Sequence, residues 1–486
     1  MPAQRIVGAH AAALAGTVDL DALRAELAIP HDFPPAAVAE ADAIAARSAP
    51  EPDPPGVVDV LDIPFVTIDP PGSMDLDQAV HLEDLGAGRH RVRYAIADLG
   101  SVIGVGGALE AESLRRGQTF YSPDRRDPLY PPNLSEGAVS LLPDQVRRAV
   151  LWTVELDAHG LPTSWTVARC VMRSVARLDY PGVQASFDSG RGIHPSIAAL
   201  RVVGEQRLAA ARARHAITLD LPDVEIEPGP AGGWQLVLRA MSPVEQWNAE
   251  ISLLTGMVAA QIMLEAGSGL LRVLPAPDER SVQRLRAETK ALGIDWPAGV
   301  EPGDVIAGLH ADRPRDAAFL ADAVTLLRGA GYRAFDGGAP PADEISHAGV
   351  GAPYAHVTAP LRRLVDRFAT EYCLAHTAGE PVPGWVTDQV DQVIETMQRT
   401  DRQAHALDRR GVAAIAGGLL AKRIGSELDG VVTQIDAQRD RASITLTDPP
   451  VQARASARGL QEGARVRVRL LGVTGEAISV EVVAAA

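Results

Sequence analysis

The chain has 486 residues, 46% of them apolar, and 46 Lys and Arg against 62 Asp and Glu leave a formal net charge of −16. That length allows two or three domains with substantial cores, and the acidic balance excludes loose, nonspecific adhesion to polyanions. Cys170 and Cys373 lie far apart in no metal or redox spacing, which excludes a disulfide scaffold and suits buried thiols in a reducing cytoplasm.

In chain order, residues 1 to about 50 are Ala-rich with helical spacing and predict a small helical region. Their first residues mimic a secretory leader only faintly, so an ordinary helix is expected. The Pro-rich stretch Ser48–Gly56 predicts a stiff linker. From Val57 to about Leu161, apolar runs alternate with Gly and Pro turns, which predicts a mainly β segment. Helical periodicity follows over 192–216, 245–265, 279–293, 316–331, 359–376 and 388–424. No apolar run reads as long enough to cross a bilayer. After Gly425, the runs from Leu428, Ala442 and Ala464 read as strands of a small OB-type barrel. The expected class is α+β, with a core over 51–424 and a barrel over 425–486.

One segment carries chemistry. Phe65–Ile68 reads as a strand that delivers Asp69 to its end, Pro70-Pro-Gly-Ser73 turns the chain, and Asp75 and Asp77 follow. Carboxylates crowded beside a tight turn call for a neutralising cation, and oxygen donors without His or Cys point to Mg²⁺ or Mn²⁺. An Asp-rich surface turn is the plainer alternative. In an extended segment, Asp75 and Asp77 face the same side.

The run Ile68 to Ala79, followed by Tyr94-Ala-Ile-Ala-Asp98, resembles the signature of the RNB family, the ribonuclease II and ribonuclease R group. Further blocks follow the family order: Arg116–Arg125, Pro128–Ser135, Ser140–Arg147, Ala216–Asp223, Arg272–Asp278 and Tyr354–Arg367. The resemblance implies a mixed-sheet core and a C-terminal RNA-binding barrel. It implies 3′-to-5′ hydrolysis of single-stranded RNA to nucleoside 5′-monophosphates, with RNA as the partner and no stable protein partner. It also implies metal ligation by Asp69, Asp75, Asp77 and the residue at 78. Where the family carries a fourth acid, this chain has Gln78, whose carbonyl ligates a cation without adding charge. On that reading Gln78→Asp should raise activity at low Mg²⁺, and the alternative function is an RNA-binding protein with little or no hydrolysis.

The resemblance further places Asp75, Asp77 and Arg362 in catalysis, Arg362 against the scissile phosphate. It places Tyr121 near the RNA 3′ end, where an aromatic face stacks on any base. Thr358, Arg363 and Glu250 are expected along the RNA path. A solvated helical face is the plainer reading of Arg362, Arg363 and Arg367. Asp98 offers indirect support to a metal-bound water or simply ends a strand. No Phe, Trp or Tyr follows Trp385, so the barrel is expected to guide RNA through a stripe of Arg465, Arg467 and Arg469, unless that strand is merely a charge-guarded edge. The larger members carry paired cold-shock barrels at the front, for which fifty-odd residues are expected to be too few.

Overall fold

The computed structural model describes residues 19–47, 56–122, 124–228, 234–311, 313–436, 438–474 and 477–485. The faint leader-like segment and most of the Pro-rich linker lie outside them. Two helices, α1 (Leu20–Glu26) and α2 (Pro35–Ala45), open the described chain. They lie against the core: Arg116, itself buried, donates to the carbonyls of Pro30, His31 and Asp32.

The core sheet is built from β1 (Val58–Asp59), β2 (Phe65–Asp69), β3 (Gln78–Gly86), β4 (Arg89–Ala97), β7 (Val146–Leu156) and β8 (Pro162–Asp179). Its order is β1-β8-β2-β3-β4-β7, and β8 also pairs with β7. The first half of β8 runs antiparallel to β7, and its last residues run parallel to β2. One long strand therefore curls the sheet back on itself. Four of the five β2 residues are buried, as expected for a strand covered on both faces, which explains its unbroken apolar run. The expected β segment also contains α3 (Ala108–Arg116), a π-helical turn at Leu134–Ala138, and a small ribbon of β5 (Phe120–Tyr121) with β6 (Arg126–Asp127).

Around the sheet pack α4 (Tyr180–Ser189), α5 (Leu200–Ala213), the ribbon of β9 (Asp223–Pro228) with β10 (Trp234–Arg239), and α6 (Pro243–Ala266). The α6 helix is apolar and long enough to span a bilayer by length and composition, which corrects the sequence reading. It is a core helix: Ile251, Leu254, Val258, Ala259 and Met263 are buried. Its start follows from local chemistry, since Ser242 caps it in a reciprocal pair with Glu245 and Pro243 presets the first turn.

Next come β11 (Gly269–Val273), α7 (Glu279–Leu292), α8 (Pro302–Ile306), α9 (Pro314–Ala323) and β12 (Gly331–Phe335), which pairs with β11. The helix expected over 316–331 thus ends early, in a 3₁₀ turn before Gly329. Likewise, the helix expected from 359 begins only at Leu364, as α10 (Leu364–Ala378). Pro360 disfavours a helical residue before it, and the Asp366 carboxylate instead accepts the Ala359 N–H at 2.7 Å. Residues 354–363 stay an open loop.

After α11 (Gly384–Thr387), the 32-residue α12 (Val390–Ala421) reaches the barrel. There β13 (Glu427–Asp436), β14 (Arg441–Leu446), β15 (Gln452–Ala455), β16 (Arg465–Thr474) and β17 (Ala477–Ala485) close in the order β13-β14-β15-β17-β16. The α12 helix belongs to both cores: Val393 and Met397 pack in the core of the main sheet domain, while Leu407, Ile415 and Leu420 pack with the barrel's Val432, Ile444 and Val468. Near its start, Thr396 and Thr400 press on Gly117, where a Cβ would meet Thr396 Cγ2 at 2.7 Å and φ is +71°. Only glycine fits that close, left-handed position.

Candidate active site

The carboxylate turn is pinned from several sides. Ser73 N–H closes the turn on the Pro70 carbonyl at 3.1 Å. Leu76 is fully buried and donates its N–H to Ser140 Oγ at 3.0 Å, while that hydroxyl donates to the Met74 carbonyl at 2.6 Å. The Asp77 carbonyl accepts from Ala97 N–H at 3.0 Å. With Leu76 anchored inward, Asp75 and Asp77 fall on the opposite side, as alternation in an extended segment requires.

Each aspartate has its own partner. Asp77 is buried; its Oδ1 accepts the Leu361 N–H at 2.7 Å, and Arg362 Nε stands 3.9 Å from Oδ2. Burial pushes the Asp77 carboxyl well above the ordinary carboxylate range; Arg362 and the Leu361 N–H pull it down, and the Asp75 charge pushes it up. Asp75 accepts from Arg126 Nη1 at 2.9 Å, and that guanidinium also reaches Glu136 at 2.6 Å. Tyr121 sits within the fields of Arg362, Asp75, Asp77 and Arg126, and burial pushes its hydroxyl up. The structure therefore brings Asp75, Asp77, Tyr121 and Arg362 together.

Asp69 ends β2 in parallel register with Asp179. Among the described residues, no three Asp, Glu, His or Cys side chains converge as a metal-ligand group. Members of the expected set of Asp69, Asp75, Asp77 and Gln78 are engaged by protein partners. Asp75 turns to Arg126, and Gln78 commits its amide nitrogen to the Thr358 carbonyl. The donor chemistry of Asp75 and Asp77 still suits a hard cation. Their mutual repulsion is felt at Asp77, and Mg²⁺ is commonly held by one or two carboxylates together with substrate phosphate.

Other expected contacts are taken up internally. Arg363 gives Nε and Nη2 to Asp366 at 2.8 and 2.7 Å, so it braces the start of α10. Arg367 is buried against Glu110 at 3.2 Å and lies over the Trp385 ring, so these arginines form no solvated face. Thr358 is buried with its carbonyl bound to Gln78. Glu250 is buried in α6 with Arg207 Nε 4.0 Å away, and burial raises its carboxyl. Asp98 is buried and accepts from Arg169 Nε at 2.9 Å. His356 bonds Tyr332 Oη at 2.9 Å, and burial, then Arg363, hold its imidazole well below the usual range.

On the barrel, β13 and β16 lie in antiparallel register, placing Asp429 opposite Arg467 and Glu427 opposite Arg469. Both pairs close, at 3.1 and 3.2 Å, so two of the three stripe arginines face acids across the sheet and the strand is no edge. Sequence reasoning passed over Arg126 and the pinning role of Ser140. Both lie in or beside quoted blocks, but nothing in their spacing from Asp75 marks them as neighbours.

A curled mixed sheet carrying a carboxylate–arginine cluster, joined by a long helix to a closed five-stranded barrel, is the architecture of an RNB domain with an S1-type appendage. Residues 57–375 match the RNB domain and residues 426–485 the RNase II-type exonuclease C-terminal S1 domain; the chain belongs to the RNB family. Ribonuclease R of Vibrio cholerae is 26% identical over 436 residues, covering 84% of this chain and 52% of that protein. The chain spans about half the length of the curated relatives it matches. Among solved structures, Mycoplasma genitalium RNase R in complex with ribose methylated single-stranded RNA superposes with a TM-score of 0.84 at 16% identity, covering 96% of this chain and 77% of that one. Yeast Ssd1, a pseudonuclease, shares the fold with a TM-score of 0.67 at 16% identity, covering 85% and 53%.

Proposed function

We propose that this chain hydrolyses single-stranded RNA from its 3′ end and releases nucleoside 5′-monophosphates. The observation that carries the reading is Arg362: its side chain is 39% exposed and stands 3.9 Å from the buried Asp77. A guanidinium there can engage two nonbridging phosphate oxygens and stabilise charge that builds in the transition state. Tyr121, close to the same arginine and aspartates, would offer a sequence-tolerant face to the terminal base. RNB-family nucleases are generally dependent on divalent metals. Asp75 and Asp77 would hold Mg²⁺ or Mn²⁺ together with the RNA phosphate, and the ion would supply electrophilic charge at the reacting phosphorus.

A second reading is RNA binding without hydrolysis. It draws on Gln78 and on the Asp75–Arg126 pair, which leave the turn with less free carboxylate than the family pattern implies. Purified protein incubated with single-stranded RNA, with and without Mg²⁺ or Mn²⁺, separates the two. Monophosphate release that disappears in Asp77→Asn supports hydrolysis. Binding without release at every metal concentration supports the second reading.

A further inference from the structure

Asp77 and Gln78 are consecutive, yet they offer opposite hydrogen-bonding characters to one loop. Asp77 accepts from the Leu361 N–H, and Gln78 Nε2 donates to the Thr358 carbonyl. A carbonyl oxygen only accepts, so the amide nitrogen must be the atom that faces it. The rest of the loop is fastened by other groups: Ala359 N–H to Asp366, the Arg362 and Arg363 N–H groups to the Ala359 carbonyl, and the Arg362 carbonyl to Thr119 N–H. Among the described residues, Gln78 supplies the side-chain donor that ties this loop to the carboxylate turn. An ionised carboxylate at the same place has no proton to give. It would set its lone pairs against the Thr358 carbonyl and add a negative charge beside Asp75 and Asp77.

We propose that Gln78 is a positioning residue, whose amide holds the 358–362 loop, and with it Arg362, over the carboxylate turn. Position 78 in this chain is therefore matched to a neutral donor, and an acid there would loosen the arginine it sits beside. This deepens the proposed function, and only its kinetic readout rests on that function.

The test uses the full chain as wild type, Gln78→Glu, Arg362→Ala and the double variant. Hydrogen exchange followed by mass spectrometry reports on residues 354–366, with the barrel as an internal control for folding. Fluorescence anisotropy in EDTA measures affinity for a labelled single-stranded RNA without metal or turnover. Gln78→Glu should speed exchange over 354–366 and leave the barrel unchanged. It should also weaken RNA binding on the order of fivefold, about the effect of one lost hydrogen bond. In the Arg362→Ala background the same change should cost less than about twofold, because the two residues act as a unit. Where hydrolysis is present, Gln78→Asp should bring no gain in rate at low Mg²⁺.

Unchanged loop exchange would overturn the proposal. So would altered exchange with unaltered affinity, additive effects of the two substitutions, or a faster Gln78→Asp enzyme. If the wild type binds RNA but releases no monophosphate, the proposed function fails, while exchange and metal-free affinity still decide the role of Gln78.

Discussion

Removing the Arg362 side chain should abolish most of the chemistry and almost none of the stability. The guanidinium lies 3.9 Å from Asp77 Oδ2, beyond hydrogen-bond reach, and is 39% exposed, so little folding energy depends on it. A pair that joins a half-exposed guanidinium to a buried carboxylate beyond hydrogen-bond reach contributes on the order of 1 kcal/mol, and the loop's own N–H and carbonyl bonds survive in Arg362→Ala. For catalysis the arithmetic is different. Losing a preorganised donor aimed at developing charge costs about 2.7–4 kcal/mol, roughly 10²–10³ in rate. Lysine at the same place keeps the charge but not the two-pronged geometry, and should recover only part of that loss. A second signature follows from Asp77. Arg362 draws its carboxyl down, so Arg362→Ala leaves it higher, and the acid limb of the rate profile should move to higher pH. The assay is single-turnover hydrolysis of a 5′-labelled oligoribonucleotide by excess enzyme across pH, with thermal melting alongside. Arg362→Ala within about threefold of the wild-type rate, or a loss of activity explained by a comparable loss of folded protein, would refute the reasoning.

Three further outcomes are expected. Because the fold raises the Asp77 carboxyl, the native state keeps a proton that the unfolded chain has lost. That contribution is full below the unfolded carboxylate value and fades as pH climbs through the folded one. Asp77→Asn should therefore melt above wild type in EDTA at pH about 8, with the gap closing as pH approaches about 4, and Mg²⁺ should stabilise only the wild type. On the barrel, exchanging Arg465, Arg467 and Arg469 for alanine should flatten the salt dependence of RNA binding by about one charge's worth rather than three; Asp429→Asn with Glu427→Gln should steepen it. A slope that falls by the full three charges would contradict the cross-strand pairing. Finally, Arg367→Ala strands the buried Glu110 carboxylate and should cost about 3–5 kcal/mol in denaturant unfolding.

What the chain made legible follows from the range of the interactions. Strand β2, helices α6, α7 and α12 and the barrel strands announce themselves through local periodicity and turn residues. The start of α10 did not, because the choice at Ala359 rests on the Asp366 carboxylate seven residues on and on the restriction imposed by Pro360. The carboxylate turn and Arg362 were visible as types of residue in a family order. Their partners were not: Arg126 lies 51 residues from Asp75, and Thr358 lies 280 from Gln78. Periodicity along β16 displays three alternating arginines, but only the register with β13 reveals that two of them face acids. Burial is likewise a property of the assembled layers, which is why Arg363, Arg367 and Glu250 read as surface or RNA-facing groups in the chain and became internal struts in the fold.

The α12 helix bears on more than packing. Its barrel end is seated among Val432, Ile444 and Val468, while near its start Thr396 and Thr400 clamp Gly117, and Arg399 holds the Arg115 carbonyl at 2.7 Å. Gly117 in turn accepts the Leu364 N–H, and Thr119 donates to the Arg362 carbonyl. A single helix thus links the appended barrel, through Gly117 and Thr119, to the peptide that carries Arg362. Tilting the barrel would therefore act as a lever on Arg362 itself, so that a load on one domain would be felt at the carboxylate turn of the other.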